Sequence, residues 1–177
     1  MIAVQRELKP LAPGDVRWTN AEQLHLTLKF LGNVPASSVE AVKQSLAEAC
    51  AGAAPFCLRA EGVGFFPNER WPRVVWVGFE GDGNALTVLQ TRAEQRLAPF
   101  VEKPGAENFL AHATLGRFQK YRRHKTENLL PRAWALAGHV FGEWQVEKIA
   151  LFRSELSPES ARHTEVAVFP FGANLEA

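Results

Sequence analysis

Cysteine is scarce in this chain of 177 residues, which has only Cys50 and Cys57. Two thiols so close together fit neither a disulfide framework nor a zinc pattern, so both read as packing residues in a reducing compartment. Long apolar runs are lacking as well: no window approaches the roughly 18 residues of a membrane span, and no membrane partner is expected. The opening run "MIAVQRELKP" has no basic start, apolar stretch and small-residue cleavage site of a secretory signal, which makes the cytoplasm the expected location. Excess charge of one sign is missing too. Lys and Arg number 20 against 19 Asp and Glu, a net charge of +1, so a case for nucleic acid can come only from local clustering. One cluster exists, "RFQKYRRHK" from Arg117 to Lys125, with five Lys or Arg and a His.

What is present is an ordinary globular composition, 46% hydrophobic and 22% charged, over a length that suits a single domain, 1–177, with a real core. A short helical opening and the turn "PLAPGD" lead to a brief strand, "VRW", and then to "LHLTLKF", whose alternation predicts a strand. With period two, His25, Thr27 and Lys29 share one face, and Leu24, Leu26, Leu28 and Phe30 pack on the other. "PASSVEAVKQSLAEACAGA" places Val39, Val42 and Leu46 at helical spacing. "FCLRAEGVGFF" and "RVVWVGFE" are β-rich, and "NALTVLQTRAEQRLAPF" is helical up to Pro99. "FLAHATLGRF" predicts a second strand with His112, Thr114 and Gly116 on one face and Ala113, Leu115 and Arg117 on the other. "TENLLPRAWALAG" is ambiguous, and "VFGEWQVEKIALFRSEL" and "HTEVAVFPF" read as strands.

"NAEQLHLTL" and "AENFLAHATL" look like one unit used twice. Such a duplication predicts an α+β fold of two pseudo-symmetric lobes, with antiparallel sheets facing a central groove and helices packed outside. A lone His on a strand is usually structural, but two His-x-Thr segments form a chemically coherent set. Imidazole has an unperturbed pKa of about 6.5, so one ring can serve as base while the other serves as acid. The threonine hydroxyls, stiff at χ1, can donate to anionic oxygens. Metal-free cleavage of a phosphoester needs these parts: a base, an in-line acid and donors for the equatorial charge. No P-loop or Gx-Ser-x-Gly elbow appears, and two histidines without carboxylate or thiolate company make a poor metal shell, so neither metal nor cofactor is expected.

The segments "VRWTNAEQLHLTLKFLGNVP", "GVGFFPNERWPRVVWVGF", "FLAHATLGRF" and "LFRSELSPESARHTEVAVFPF" together resemble the 2H phosphoesterase superfamily, specifically the bacterial RNA 2′,3′-cyclic phosphodiesterases, also described as 2′-5′ RNA ligases. The resemblance implies His25 and His112 as the catalytic pair, with the first as proton donor and the second as acceptor. It also implies Thr27 and Thr114 as phosphate-binding hydroxyls and Arg117 as a basic contact to substrate. The implied reaction is hydrolysis of RNA or oligonucleotide 2′,3′-cyclic phosphate ends to 2′-phosphomonoesters, with 2′-5′ ligation as its reverse. The alternative is a non-catalytic nucleotide- or RNA-binding module that keeps the groove. Family members begin with a Phe- or Val-rich strand and a longer first helix, and against that pattern the expectation is that this chain starts within the helix, without the first strand. The expected state is therefore a monomer, or a dimer if the missing strand exposes a sheet edge. In "SARHTEV", His163 stands where the family has Tyr.

Among the other candidates, Trp18, Phe66, Trp71 and Trp76 are core or groove-wall residues, and Phe66 is the first choice for stacking on a base. His124 reads as solvated, and His139 and His163 as structural. Arg122, Arg123 and Lys125 are candidates for RNA-backbone contact because they follow the second motif.

Overall fold

The computed structural model describes residues 1–82, 84–101, 109–119, 127–156 and 161–172. Helix α1 (Ile2–Leu8) leads to strand β1 (Val16–Trp18), and helix α2 (Val39–Cys50) precedes strands β2 (Phe56–Phe66) and β3 (Val74–Gly81). Helix α3 (Ala85–Leu97), strand β4 (His112–Phe118), helix α4 (Leu129–Ala135) and strands β5 (Val140–Val146), β6 (Lys148–Leu156) and β7 (Ala161–Pro170) follow. The α+β expectation holds, and the ambiguous stretch before Gly138 is resolved as α4. Among the described residues no helix is long and apolar enough to cross a membrane.

Two compact units divide the chain. The first comprises Met1–Thr27, Leu58–Glu80 and Leu110–Trp144, and the second Leu28–Cys57, Gly81–Phe109 and Gln145–Ala177. Both His-x-Thr segments belong to the first unit.

The sheet runs β1-β4-β3-β2-β5, with β4 antiparallel to both of its neighbours. Alternation along β3 drives Val75, Val77 and Phe79 into a core shared with Val4, Leu8, Ala113, Leu115, Leu129 and Ala133. Burying each large aliphatic side chain there contributes about 1.5–3 kcal/mol.

Strand β4 does not keep the regular register its sequence predicts. Trp76 pairs with Thr114, but Val75 pairs with Gly116, so Leu115 is an extra residue in a β-bulge. Leu115 is fully buried, and a Cβ built on Gly116 would lie 2.5 Å from Cγ1 of the core residue Val16, so two consecutive positions face the core. The alternation is thereby reset, and Arg117 emerges on the face that carries His112 and Thr114. The expected grouping of Gly116 with the histidine, and of Arg117 with the core side, is thus reversed by one inserted residue.

Gln5 supports this bulge from α1. Its side chain is 3% exposed, and its Nε2 donates to the carbonyls of Leu115 (2.9 Å) and Thr19 (2.7 Å), joining helix, bulge and the end of β1. Removing it takes away the donor to the Thr19 carbonyl and leaves that of Leu115 with the Thr19 N–H alone, and a stranded buried acceptor costs about 1–3 kcal/mol. Gln5→Ala should therefore lower the thermal midpoint by roughly 2–4 °C per kcal/mol lost, read by circular dichroism. An unchanged midpoint would show that the bulge is held by other contacts.

The first motif segment is not the regular strand that was expected. Among the described residues its ladder contact is an isolated antiparallel bridge, Leu26 to Ala113. Beyond Leu28 the alternation inverts: Phe30 is 79% exposed, whereas the Lys29 side chain is 5% exposed and paired with Glu94 of α3. The hydrophobic pattern therefore does not give the orientation of this end of the segment, where the inward residue is the ion-paired lysine.

In the second unit, α2 buries Val42, Leu46 and Ala49 and packs on α3, which buries Leu89, Ala93 and Leu97 at the same helical spacing. Arg96 reaches from α3 to Glu48 (2.6 Å). Strands β6 and β7 form an antiparallel pair, and Phe171 just beyond β7 stacks on Phe56 at 5.8 Å. Cys50 is a packing residue, as expected; burial pushes its thiol up to about 11, which keeps it protonated and unreactive near neutral pH. Cys57 is partly buried.

Candidate active site

The bridge between Leu26 and Ala113 brings the two motifs side by side. Ala113 is fully buried and Leu26 packs against the same core, so the flanking residues of both segments point to the opposite face. In the antiparallel register through that bridge, His25 stands across from Thr114 and Thr27 across from His112.

Each imidazole is fixed in the same way. His25 Nδ1 lies 2.7 Å from the carbonyl oxygen of Gln23, and His112 Nδ1 lies 2.7 Å from that of Leu110. A carbonyl can only accept, so both rings carry a proton on Nδ1, and Nε2 is the nitrogen that exchanges protons. His25 is exposed, whereas His112, Thr27 and Thr114 are half-buried.

An aromatic group surrounds His112. Phe66 meets it edge to face at 4.9 Å and 82°, and Trp76 lies 6.2 Å away. Phe66 and Trp76 pack on each other at 5.2 Å. Trp76 stands in register with Thr114, and Gly78 with His112. A Cβ on Gly64 would come within 2.2 Å of the indole, so glycine there lets the ring lie flat across β2. Among the described residues the indole Nε1–H is buried without an acceptor, the kind of exception that clusters at functional sites. "GVGFF" signalled a glycine-rich strand end but not which ring its glycines accommodate.

On the same face, Arg117 is exposed on β4 beyond the bulge, and Arg59 on β2 is neutralised by Glu61 at 2.8 Å. The wall candidates Trp18 and Trp76 are as expected, Trp18 against the core and Trp76 beside the histidine. Trp71 is 41% exposed under the Arg70 guanidinium, 6.0 Å from its ring centre. His139 packs on Phe141, and His163 Nδ1 lies 2.9 Å from the Ser154 hydroxyl. His124, Arg122, Arg123 and Lys125 lie outside the described residues.

Residues 1–76 match the family model described as LigT-like phosphoesterase. An RNA 2′,3′-cyclic phosphodiesterase of Aquifex aeolicus is 33% identical over 161 residues, covering 88% of this chain and 82% of the relative. One from Methanothermobacter thermautotrophicus is 31% identical over 167 residues, covering 94% of this chain and 88% of the relative. Among solved structures, TT0787 of Thermus thermophilus superposes with a TM-score of 0.79 at 28% identity, covering 96% of this chain and 88% of that one. With a family model on its first motif and relatives above 30% identity over most of both lengths, the chain belongs to the LigT-like phosphoesterase family.

Proposed function

We propose that this protein is a phosphodiesterase that hydrolyses the 2′,3′-cyclic phosphate ends of RNA or oligonucleotides. The observation that carries this reading is the pairing of the motifs through Leu26 and Ala113, with both imidazoles tied at Nδ1 and exchanging protons at Nε2. Relatives named RNA 2′,3′-cyclic phosphodiesterase support the substrate class.

In the proposed mechanism His112 Nε2 takes a proton from water as the water oxygen attacks phosphorus. His25 Nε2 gives its proton to the departing ribose oxygen, so the cyclic diester opens to a monoester with proton balance kept across the pair. Thr27, Thr114 and Arg117 hold the non-bridging oxygens, where charge gathers in the transition state. Phe66, backed by Trp76, offers a surface for the terminal base, a contact of about 1–3 kcal/mol when a base stacks.

The direct test is hydrolysis of a 2′,3′-cyclic nucleotide in excess EDTA, followed by chromatography of the monophosphate. Full turnover in chelator is expected. Activity abolished by EDTA and restored by zinc would place the chemistry on a metal instead.

A further inference from the structure

A buried indole nitrogen usually finds an acceptor, because stranding a donor away from water is costly. Trp76 Nε1–H is an exception among the described residues. The proposed mechanism leaves this group unused, although its ring lies 6.2 Å from that of His112 and its backbone stands directly across from Thr114. Residues opposed in this way hold their Cβ atoms about 4.5–5.5 Å apart, so the indole and the Thr114 hydroxyl start from neighbouring points on one face.

Two glycines show which way the nitrogen edge is turned. A Cβ on Gly64 would meet Cζ2, Cη2 and Cε2 of the indole, and one on Gly78 would meet Cζ3 at 3.4 Å. Cζ3 and Cε2, the carbon that bears Nε1, lie across the six-membered ring from each other, so the nitrogen edge faces away from Gly78. Gly78 stands beside Glu61, and at the other end of the strand pair the Arg73 N–H donates to the Phe66 carbonyl. Away from Gly78 is therefore toward Phe66. The Phe66 ring packs there, 5.2 Å from the indole centre and tilted by 32°. A phenyl ring carries no lone pair, so it shields the donor without satisfying it.

The place narrows the acceptor. In the proposed mechanism the cyclic phosphate is held at Thr114 and His112, and the terminal base is one ribose away. Every nucleobase carries an acceptor next to its glycosidic bond, N3 in purines and O2 in pyrimidines. The N–H points along the indole plane, so a base lying flat on the indole cannot receive it, whereas a base stacked on Phe66 with its edge toward Nε1 can.

Resting on the proposed reaction, we infer that Trp76 is a substrate-binding residue whose Nε1–H donates to this acceptor of the terminal base, once Phe66 turns off the indole edge to stack on that base. The donor left unbonded in the free protein favours this opening. All four bases carry the acceptor, so the contact selects nucleoside cyclic phosphates over cyclic phosphates without a base and does not choose among bases. Trp76 takes no part in proton transfer.

The test compares wild type and Trp76→Phe on adenosine 2′,3′-cyclic phosphate and on its 3-deaza analogue, in which C–H replaces N3. Wild type should cleave the analogue with kcat/KM lower by about 3–10-fold, mainly through KM, the scale of one hydrogen bond. Trp76→Phe should treat the two compounds alike. Disturbed packing lowers both rates together and leaves their ratio unchanged, so the ratio reports the N–H. Equal efficiencies in wild type, or an undiminished ratio in the variant, would overturn the contact and leave the proposed reaction standing. Should Trp76→Phe fail to fold, the wild-type ratio carries the decision. If wild type cleaves neither compound, the reaction itself falls. The Trp76 indole proton in a ¹H–¹⁵N spectrum then decides: a downfield shift with adenosine 2′-monophosphate that is absent with its 3-deaza analogue supports the contact, and equal responses refute it.

Discussion

His25→Ala and His112→Ala are each expected to reduce turnover of a 2′,3′-cyclic nucleotide by about 10²–10⁴-fold, the usual worth of one positioned acid or base. The double variant should be little worse than the poorer single, because an acid and a base that serve one in-line displacement act as a unit. The fold should survive both changes. His25 is exposed, and although His112 packs against Phe66 and Trp76, neither ring belongs to the fully buried core. His112→Gln, which keeps more of the ring's volume beside the aromatics, separates lost chemistry from lost packing: it should remain inactive with an unchanged melting temperature. Near-wild-type turnover in either alanine variant would remove that histidine from the mechanism.

The second large effect concerns product identity. In a 2′,3′-cyclic phosphate either ribose oxygen can leave, so the choice depends on which of them faces the protonated imidazole in line with water. With His25 as acid and His112 as base, the 3′ oxygen lies beside His25 and departs, and phosphorus NMR should show almost entirely 2′-monophosphate. A predominantly 3′-phosphate product would reverse the two roles even with both histidines essential. Thr27→Val and Thr114→Val should each slow the step by about 10²-fold, the scale of one lost donor to a developing oxyanion, while leaving the product unchanged. Valine keeps the β-branched shape, so the loss reports the hydroxyl rather than the rotamer.

Much of this architecture was legible because local pattern and tertiary need agree. The extents of β2 and β3, the buried Val42 and Leu46 on α2, and the end of the helical run at Pro99 follow from periodicity and breakers. The candidate site residues were legible as a repeated motif. Their arrangement was less so, because a period-two reading presumes an unbroken ladder, and nothing in "HATLGRF" marks Leu115 as the residue that drops out of register. That single insertion decided the face of Arg117 and hid its cross-strand neighbour Arg17, which lies far earlier in the chain. Gln5 escaped notice for a related reason: its value lies in two carbonyls brought to it by strands that only the folded chain assembles. At Lys29 and Phe30 the hydrophobic pattern pointed the wrong way: the lysine is turned inward to Glu94 of α3 and the phenyl ring is exposed.

The matching carbonyl bonds at Gln23 and Leu110 also constrain what happens between turnovers. Each proposed cycle leaves His25 one proton poorer and His112 one richer, the mirror image of the starting state. Neither ring can restore itself by passing a proton out through Nδ1, because that nitrogen faces the backbone, so both resets go through the same Nε2 atoms that serve the reaction. The enzyme just after product formation is therefore charged correctly for the opposite direction, with His25 ready to accept a proton from a hydroxyl nucleophile and His112 ready to donate one to a leaving oxygen. How often a turnover reverses then depends on whether the two nitrogens are reset before product leaves, while the net direction follows the free energy of hydrolysis. Two main-chain oxygens thus confine the forward and the reverse proton transfers to the same pair of nitrogens.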